Sequence, residues 1–459
     1  MNFTAKIQIN IDLYKIFYIF YIKFQLIRYL YINKESKPML KAYKYRIFPN
    51  ETQAQKMAQA FGCARFLYNQ CLGWWKDEWQ RAKNAEEPMN NLPLVTYFKK
   101  DNTFLNDVDS LVLMNARRHF EQAMKNYIDS KQGKRKGKYV GFPKFKSKHK
   151  SKKAFQTNSV NGNIVILADT NEIKIPKIGK LKARLHRLPI DNGKIVSATV
   201  TQGSDGKYAI SIVIEYADLK PSRNIDPNEL KVVGLDMSLS SFVVSSDEED
   251  DSTRAKYIRH YRKNEKKLAR LNRRMHRKTK GSNNREKARK ILSKKHSHIA
   301  NCRKDFACKQ ALHFARKYDV IVLEDINLQN LSKTLNLGKS VMDLGFGEFR
   351  TRLQWKCNEN GSYLIKADKW FPSSKTCNAC GHINKELQLS DREWVCTECG
   401  SVHDRDLNAA RNLRDYFIKK LNTAGTAGID ACGEMSTTLR ETLRQVISLK
   451  QETPHFNVG

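Results

Sequence analysis

Four cysteines form the most specific chemical pattern in this sequence. Cys377 and Cys380 make one C-x-x-C pair, Cys396 and Cys399 make a second, and a glycine follows each pair. Two such pairs bring four thiolates to one ion at metal–sulfur distances of about 2.3 Å, which gives a closed tetrahedral zinc site. A redox-active dithiol would need only one pair. The pattern therefore predicts a zinc ribbon that binds Zn²⁺ for structure.

Three acidic residues stand where apolar elements end or begin. Asp236 follows the run VVGL, Glu324 follows VIVL, and Asp406 stands just before the helix-forming run LNAARNL. Alone, Asp236 could cap a turn and Asp406 could cap a helix. Together the three match the carboxylate sets with which nucleases hold two divalent ions about 3.5–4 Å apart. Hard oxygen ligands favour Mg²⁺ or Mn²⁺ in such a site.

The elements that carry these acids predict how they meet. Two acids at strand ends and one at a helix start would come together at one edge of an α/β sheet, as in an RNase H-like fold. The return of apolar residues at Phe242-Val243-Val244 indicates a hairpin after the first strand. We therefore expect Asp236, Glu324 and Asp406 to be catalytic and to bind the divalent ion.

The charge of the chain points to a polyanionic partner. The sequence has 83 Lys+Arg against 47 Asp+Glu, a formal net charge of +36, and such an excess attracts nucleic acid. A membrane surface would favour one amphipathic basic segment, whereas these cations are spread over several. Cysteines outside the two pairs are scattered, which indicates a reducing cytosol and no disulfide framework. We expect a cytoplasmic protein with no membrane partner.

Two segments concentrate the positive charge. Residues 131–153 contain eleven Lys or Arg and no acid, interleaved with aromatic residues. Residues 254–304 contain 21 Lys or Arg and two acids, with sparse apolar positions that indicate paired helices. A merely solvated face would carry mixed signs, so both segments predict nucleic-acid contacts. The predicted contacts are Lys134, Arg135, Lys136, Lys138, Phe142, Lys144, Lys146, Lys148, Arg270, Arg273, Arg274 and Arg277.

The remaining regions supply a helical and a β-rich part. A strand from Met39 stops at Pro49, and Asn50 with Gln53 has capping-box spacing for a helix that follows. The helical pattern continues to about Ser130, with breaks near two prolines. Residues 154–217 alternate like short strands and predict a small β-barrel. Residues 1–38 match none of these patterns, and we expect them to lie upstream of the natural start codon or to be disordered.

The motifs together resemble the TnpB proteins of bacterial insertion sequences, which are related to the type V CRISPR effector nucleases. The resemblance runs from about Met39 into the tail through KAYKYRIFPN, FGCARFLYNQ, GFPKFKSK, GLDMSLSSFVVSSD, IVLEDINLQNLSK, the two cysteine pairs and HDRDLNAARN. It implies a RuvC-like nuclease domain in which Asp236, Glu324 and Asp406 match the family's catalytic acids. It also implies a guide RNA and a DNA target as partners.

The sequence departs from the family at one turn and leaves one choice open. Met237-Ser238 stands where other TnpB proteins often have a glycine two positions after the first acid. Asp404 and Asp406 are both acidic, and Asp406 is chosen because the family acid precedes x-Asn-Ala. Asp404 stays open as a residue that supports the acids without being one of them.

The resemblance implies an α/β multi-domain architecture. Residues 39–50 and 154–220 would form a β-barrel wedge domain, and 51–153 a helical recognition lobe with a basic loop. Residues 231–370 and 403–418 would form the RuvC-like nuclease domain with an inserted zinc ribbon at 371–402. A C-terminal tail would occupy 419–459, and its composition from Thr423 onward, rich in Gly, Thr and Ser, predicts poor order.

Three functions are compatible with these motifs. The first is an RNA-guided DNA endonuclease, in which RNA pairing reads the target sequence and the acids cut. The second is a transposase that performs DNA strand transfer, for which an acid triad would also serve. The third is a binding-only regulator built on a decayed nuclease, which the presence of all three acids disfavours. We expect the first, with a monomeric protein.

Overall fold

The chain forms two compact units in its computed structural model. The first contains residues 39–216 and the second contains the residues from 230 onward. The structure describes 39–135, 137–216, 230–239, 241–250, 257, 259–325, 338–388 and 390–426. The predicted extension 1–38, the predicted contact Lys136 and the tail from 427 lie outside the described residues. No helix in the described part is long and apolar enough to cross a membrane.

The first unit begins with a strand and a long capped helix. Strand β1 (Met39–Phe48) leads into α1 (Glu51–Ala85). Asn50 accepts a hydrogen bond from the Gln53 backbone N–H at 2.8 Å, and the Asn50 N–H donates to the Gln53 side chain at 3.0 Å. This confirms the predicted capping box. Helices α2 (Val95–Lys100) and α3 (Ser110–Lys131) follow.

A seven-stranded antiparallel sheet completes the first unit. Its strands are β1, β2 (Lys153–Asn158), β3 (Val165–Leu167), β4 (Glu172–Ile175), β5 (Gly179–Arg184), β6 (Lys194–Gln202) and β7 (Tyr208–Tyr216). They pair in the order β2-β6-β7-β1-β5-β4-β3. Alternate residues of β1 and β7 point inward, as the predicted period of two requires. The sheet and the helices share one apolar core.

A smaller, mostly parallel sheet organises the second unit. Strands β8 (Val232–Asp236), β10 (Val320–Leu323) and β11 (Tyr363–Lys366) run parallel in the order β11-β10-β8. The short strand β9 (Val244–Ser245) pairs antiparallel with β8 and confirms the predicted hairpin. All four residues of β10 are buried, which is typical of a parallel strand covered on both faces.

Helices pack on both sides of this sheet. The predicted basic helical pair is present as α4 (His260–His276) and α5 (Asn283–Lys317), and α5 continues beyond the predicted end at 304. Helices α6 (Gly338–Leu344) and α7 (Phe346–Asn360) lead into β11. The aromatic rings of Phe242, Phe314 and Phe349 pack together with these helices in one core.

The last described elements carry the cysteine pairs and a long final helix. Strands β12 (Glu393–Val395) and β13 (Val402–Asp404) form a two-stranded sheet, and α8 (Arg405–Thr426) follows directly. Helix α8 continues to Thr426, past residue 419 where the tail was predicted to begin. Tyr416 and Phe417 extend its apolar stripe against the sheet.

Candidate metal centres and nucleic-acid surfaces

The four cysteines converge as the sequence predicts. All four sulfur atoms lie within 4.8 Å of one another. Cys377 Sγ lies 3.7 Å from Cys399 Sγ, and Cys380 Sγ lies 3.6 Å from Cys396 Sγ. Zinc–sulfur bonds of about 2.3 Å in a tetrahedron place sulfur atoms about 3.8 Å apart. The spacing of these thiols therefore fits a tetrahedral zinc ion.

Each C-x-x-C pair sits in the same kind of turn. The Gly381 N–H donates to the Cys377 carbonyl at 2.9 Å, and the Gly400 N–H donates to the Cys396 carbonyl at 2.9 Å. Both glycines have positive φ, 83° and 71°, which side-chain-bearing residues rarely adopt. The glycine that follows each pair is thus explained by the turn that presents the two sulfurs.

A buried histidine supports the cysteine cluster. His403 Nε2 lies 3.0 Å from Cys377 Sγ, and its ring packs on Trp394 at a centroid distance of 4.9 Å. His403 is 6% exposed, so it is not available to nucleic acid. An imidazole N–H at this position can donate a hydrogen bond to a thiolate and stabilise its charge.

Asparagines of α8 fasten the cysteine module to the helix. The side-chain amides of Asn408 and Asn412 both donate to the Thr376 carbonyl, at 2.8 and 2.6 Å. The Asn408 side chain also accepts from the Asn378 backbone N–H at 3.0 Å. Both helix asparagines are buried. The chain on either side of Cys377 is therefore hydrogen-bonded to α8, whose first turn carries Asp406.

Sheet register brings two of the three predicted acids side by side. Leu235 of β8 pairs with Leu323 of β10 in a parallel ladder. Asp236 is the last residue of β8 and Glu324 directly follows β10, so both stand at the carboxyl edge of neighbouring strands. Both are half-buried. Asp406 lies in the first turn of α8 and is also half-buried.

The other two acids act electrostatically on Asp236. Burial, followed by repulsion from the carboxylates of Asp406 and Glu324, raises the pKa of Asp236 to about 8. Burial also raises the pKa of Glu324, while the positive charge of Arg405 opposes that shift. A multivalent cation would stabilise the charged form of a carboxylate that lies beside two other carboxylates, as Asp236 does.

Neighbouring side chains separate the roles of Asp406 and Asp404. Ser238 donates from its hydroxyl to Asp406 Oδ2 at 2.7 Å, and Arg392 Nη1 lies 3.5 Å from the same oxygen. Asp404 instead accepts from the Leu407 backbone N–H at 2.8 Å and thereby caps α8. The capping role that could have explained Asp406 belongs to Asp404. Ser238 and Arg392 were not predicted, because only the folded chain brings them to Asp406.

Gly234 lets α8 approach the first strand. A Cβ atom on Gly234 would lie 2.0 Å from the Ala410 carbonyl oxygen and 2.5 Å from the Arg414 nitrogen. These are backbone atoms of α8, so a larger residue would push the helix away. Glycine inside the apolar run VVGL was a usable signal, because a strand glycine often marks a close backbone approach.

The basic loop of the first unit is only in part the surface that the sequence predicts. Lys134, Arg135, Lys138, Lys144 and Lys148 are exposed. Phe142, predicted as a nucleic-acid contact, has a half-buried ring that packs between Trp75 and Tyr127 at centroid distances of 5.5 and 5.3 Å.

Lys146 is also directed inward. Its ammonium lies 3.5 Å from the centre of the Tyr68 ring, and burial lowers its pKa. Asn69 accepts from its backbone N–H and donates to its carbonyl oxygen, which fixes the loop on α1. The exposed aromatic side chains of this loop are Tyr139 and Phe145.

The helical pair of the second unit presents an arginine face. Arg270, Arg273, Arg274 and Arg277 are all exposed. Their spacing of three, four and seven residues places them on one side of α4 and its C-terminal cap. Within the part of the chain that the structure describes, none of the four has an ion-pair partner. An unpaired face of this kind suits the phosphate backbone of a nucleic acid.

Comparison with known proteins identifies the family. Three family models match: "Helix-turn-helix domain" (OrfB_IS605) over residues 39–84, "Probable transposase" (OrfB_IS605) over 212–335, and "Cas12f1-like, TNB domain" over 346–413. The last match covers the cysteine module and the first turns of α8.

Two curated relatives align over nearly their whole length. A Streptomyces pristinaespiralis protein named "Putative RNA-guided DNA endonuclease" is 33% identical over 91% of this chain and 98% of its own. An Escherichia coli (strain K12) protein named "Putative RNA-guided DNA endonuclease InsQ" is 30% identical over 90% of this chain and 99% of its own. Among solved structures, a chain from the "Cryo-EM structure of the Cas12f1-sgRNA-target DNA complex" is similar at a TM-score of 0.47 and 14% identity, covering 82% of this chain and 99% of that chain.

This chain belongs to the TnpB family of insertion-sequence proteins, the OrfB group of the family models. The family predicted from the sequence motifs is thereby confirmed.

Proposed function

We propose that this protein is an RNA-guided DNA endonuclease that cuts its target at the edge of the parallel sheet in the second unit. The observation that carries the proposal is the register of β8 and β10, which places Asp236 and Glu324 side by side with Asp406 close enough to shift the pKa of Asp236. The names of the curated relatives, both RNA-guided DNA endonucleases, support the same activity.

The chemistry of the acid edge supports a hydrolytic metal site. Asp236, Glu324 and Asp406 offer only carboxylate oxygens, the ligands that Mg²⁺ and Mn²⁺ prefer. A divalent cation held there would stabilise the negative charge that develops on the phosphate oxygens during cleavage. Ser238 orients Asp406 by its hydrogen bond, and Arg392 adds positive charge beside the same carboxylate.

The cysteine cluster has a different part in this proposal. The spacing of the sulfurs and the two matched turns support a structural Zn²⁺ held by Cys377, Cys380, Cys396 and Cys399. A closed set of four thiolates leaves no open position for substrate. Its function is to fold the module that holds α8, and through α8 to place Asp406.

The two basic surfaces have the role of binding guide RNA and target DNA. The exposed cations of the loop at 134–148 and the arginine face of α4 contribute phosphate contacts, which supply affinity without reading sequence. Base pairing to the RNA supplies the sequence reading. We infer a monomeric protein.

The domain layout follows from this assignment. The second unit would comprise a RuvC-like nuclease domain at 231–370 and 403–418 with the zinc ribbon at 371–402. In the first unit, 39–50 and 154–220 would form the wedge domain and 51–153 the recognition lobe.

The deciding experiment tests guidance. The protein is purified with the RNA that accompanies it, the RNA is sequenced, and DNA carrying a matched or a scrambled target is offered in Mg²⁺. We expect cutting of the matched target only. Equal cutting of both targets would contradict the guided function, and joining of DNA ends to a new strand would favour the transposase suggested by the family-model name.

A further inference from the structure

We propose that Trp370 is a stacking platform for a base of the single DNA strand that approaches the three acids. This inference rests on the proposed function, because it concerns the strand that is cut. Trp370 is 85% exposed, the largest exposure among the large hydrophobic side chains in the described part of the chain.

The position of Trp370 follows from the same sheet edge that carries the acids. Lys366, the last residue of β11, pairs with Leu323, the residue before Glu324. The next residue, Ala367, donates its backbone N–H to the Leu323 carbonyl at 2.8 Å and so extends the ladder. Four residues at about 3.5 Å each keep the Trp370 Cα within about 14 Å of the Lys366 Cα. The indole therefore stands a few nucleotides or less from the acids.

The turn that carries Trp370 is fixed at its base. The Phe371 N–H donates to the Asp368 carbonyl at 3.0 Å and closes the turn. The Tyr416 hydroxyl on α8 donates to Asp368 Oδ2 at 2.5 Å, and the Tyr416 ring packs on Phe371 at a centroid distance of 4.8 Å. Two residues that flank the indole in sequence are thus bonded to α8, while the indole itself faces solvent.

The charge around the indole favours nucleic acid over a protein partner. The Lys369 ammonium lies 4.6 Å from the centre of the indole ring system. Lys369 is exposed and has no ion-pair partner within the described part of the chain, whereas Lys366 pairs with Asp325 at 3.6 Å. The adjacent acid, Asp368, accepts from Tyr416 and from Lys420 Nζ at 3.3 Å. An aromatic face beside an unpaired lysine is a combination with which proteins hold single strands, since a base stacks on the ring and the lysine meets phosphate.

A held but exposed indole is difficult to explain by folding alone. Scattered exposed apolar side chains are ordinary on protein surfaces. Here, however, the side chain is presented by a turn bonded to α8, beside Lys369 and on the segment that leaves the sheet edge of the acids. Because Trp370 is so exposed, its replacement should leave the melting temperature unchanged.

The kinetic test compares Trp370→Ala with Trp370→Phe in the complex with its own RNA. Loss of the stacking of one base on an aromatic ring corresponds to a change of about 5- to 150-fold in a rate or equilibrium constant. Target affinity comes mostly from pairing and phosphate contacts, so we expect Trp370→Ala to slow single-turnover cleavage by that factor with target affinity unchanged. Trp370→Phe should recover most of the rate. Trp355→Ala, at a tryptophan that is 48% exposed on α7, is the matched control and should cut normally.

A modified target separates stacking from a structural effect. An abasic site is placed at successive positions along the cleaved strand. At one position it should slow cleavage by the wild type. At that position the wild type and Trp370→Ala should then cut at the same rate. A rate for Trp370→Ala equal to wild type, or no gain from Trp370→Phe, would overturn the platform.

Photocross-linking tests the platform independently of cutting. DNA carrying 5-bromodeoxyuridine is bound in an Asp236→Ala background, which keeps the strand intact. We expect a cross-link to the peptide that contains Trp370, lost when Trp370→Ala is added. Absence of that cross-link at every substituted position would overturn the platform. If the wild type fails to cut, the proposed function fails, and the cross-link still decides whether Trp370 contacts the strand.

Discussion

The two candidate metal centres of the second unit differ in how closely their ligands are held. The four sulfur atoms lie within 4.8 Å of one another. Among the described residues, no other group of three or more His, Cys, Asp or Glu side chains is close enough to hold a metal ion in this way. The three acids do not form such a close group and are half-buried. Structural metal sites are closed by four protein ligands, as the cysteine cluster would be. Catalytic metal sites keep an open position for substrate, as the acid site would.

The structure also connects the two centres. The Thr376 carbonyl, one residue before Cys377, accepts hydrogen bonds from Asn408 and Asn412 of α8. Asp406 lies two residues before Asn408 on the same helix. The cysteine module is therefore bonded to α8, the helix that carries Asp406 to the other two acids.

The largest expected effect comes from removing the closed centre. Cys377→Ser combined with Cys396→Ser should abolish zinc binding, because both buried ligands are lost. In zinc-finger peptides such binding contributes about 10–16 kcal/mol at pH 7. We expect the module to unfold and cleavage to be lost with it. Metal analysis should find about one zinc per wild-type chain and none in the variant.

The control for this prediction is a cysteine outside the cluster. Cys308→Ser, on α5, should retain zinc and activity, because Cys308 lies outside the module. Wild-type protein that contains no metal and holds the four thiols in disulfides would contradict the zinc assignment.

Gly234→Ala should break the contact between β8 and α8. The new methyl group would meet the Ala410 carbonyl oxygen at 2.0 Å, so the helix must move. Overpacking typically costs about 1–3 kcal/mol in stability, and the shift also displaces Asp406 from the other acids. Thermal unfolding and cleavage assays should both show a loss. Gly62→Ala on α1, where a Cβ meets nothing within 4 Å, should be neutral or stabilising.

Replacing the arginine face of α4 by glutamine should weaken binding and leave the chemistry intact. In a plot of log affinity against log salt concentration, each phosphate contact adds about 0.9 to the size of the slope for a duplex and about 0.7 for a single strand. Losing Arg270, Arg273, Arg274 and Arg277 should reduce the slope of log affinity against log salt by roughly 3 to 4. Arg289→Gln, whose charge is already paired with Glu286, should change the slope little. An unchanged slope in the fourfold variant would exclude α4 from the interface.

The smallest expected effect is at Ser238. Ser238→Ala removes the hydrogen bond to Asp406, and loss of a residue that orients a metal ligand typically costs 10–100-fold in metal affinity or activity. The measurement is the Mg²⁺ concentration that gives half-maximal cleavage, which should rise. Ser246→Ala, which removes a hydrogen bond to the Gly234 backbone, should lower stability without that shift. Equal Mg²⁺ dependence in Ser238→Ala and wild type would contradict the positioning role.

The sequence predicted these features to the extent that they are local. The cysteine site depends on two short turns, each marked by its own glycine, so spacing alone predicted it. The acids follow from apolar runs whose ends could be located. The inward packing of Phe142 and Lys146 could not be predicted, because an interleaved basic and aromatic loop does not indicate which side chains face inward. Ser238 and Arg392 reach Asp406 only through long-range folding, and Trp370 stands alone, without a periodic pattern to mark it.

In the proposed function, the three acids are needed for DNA cleavage, whereas the basic surfaces bind RNA and target DNA. Asp236→Ala, Glu324→Ala and Asp406→Ala are each combined with the copurifying RNA, and target binding and cleavage in Mg²⁺ are measured on the same preparations. Loss of cation stabilisation worth several kcal/mol should reduce cleavage at least about a thousandfold. Binding should stay the same or strengthen slightly, because one negative charge is removed. Full cleavage by all three variants would contradict the account.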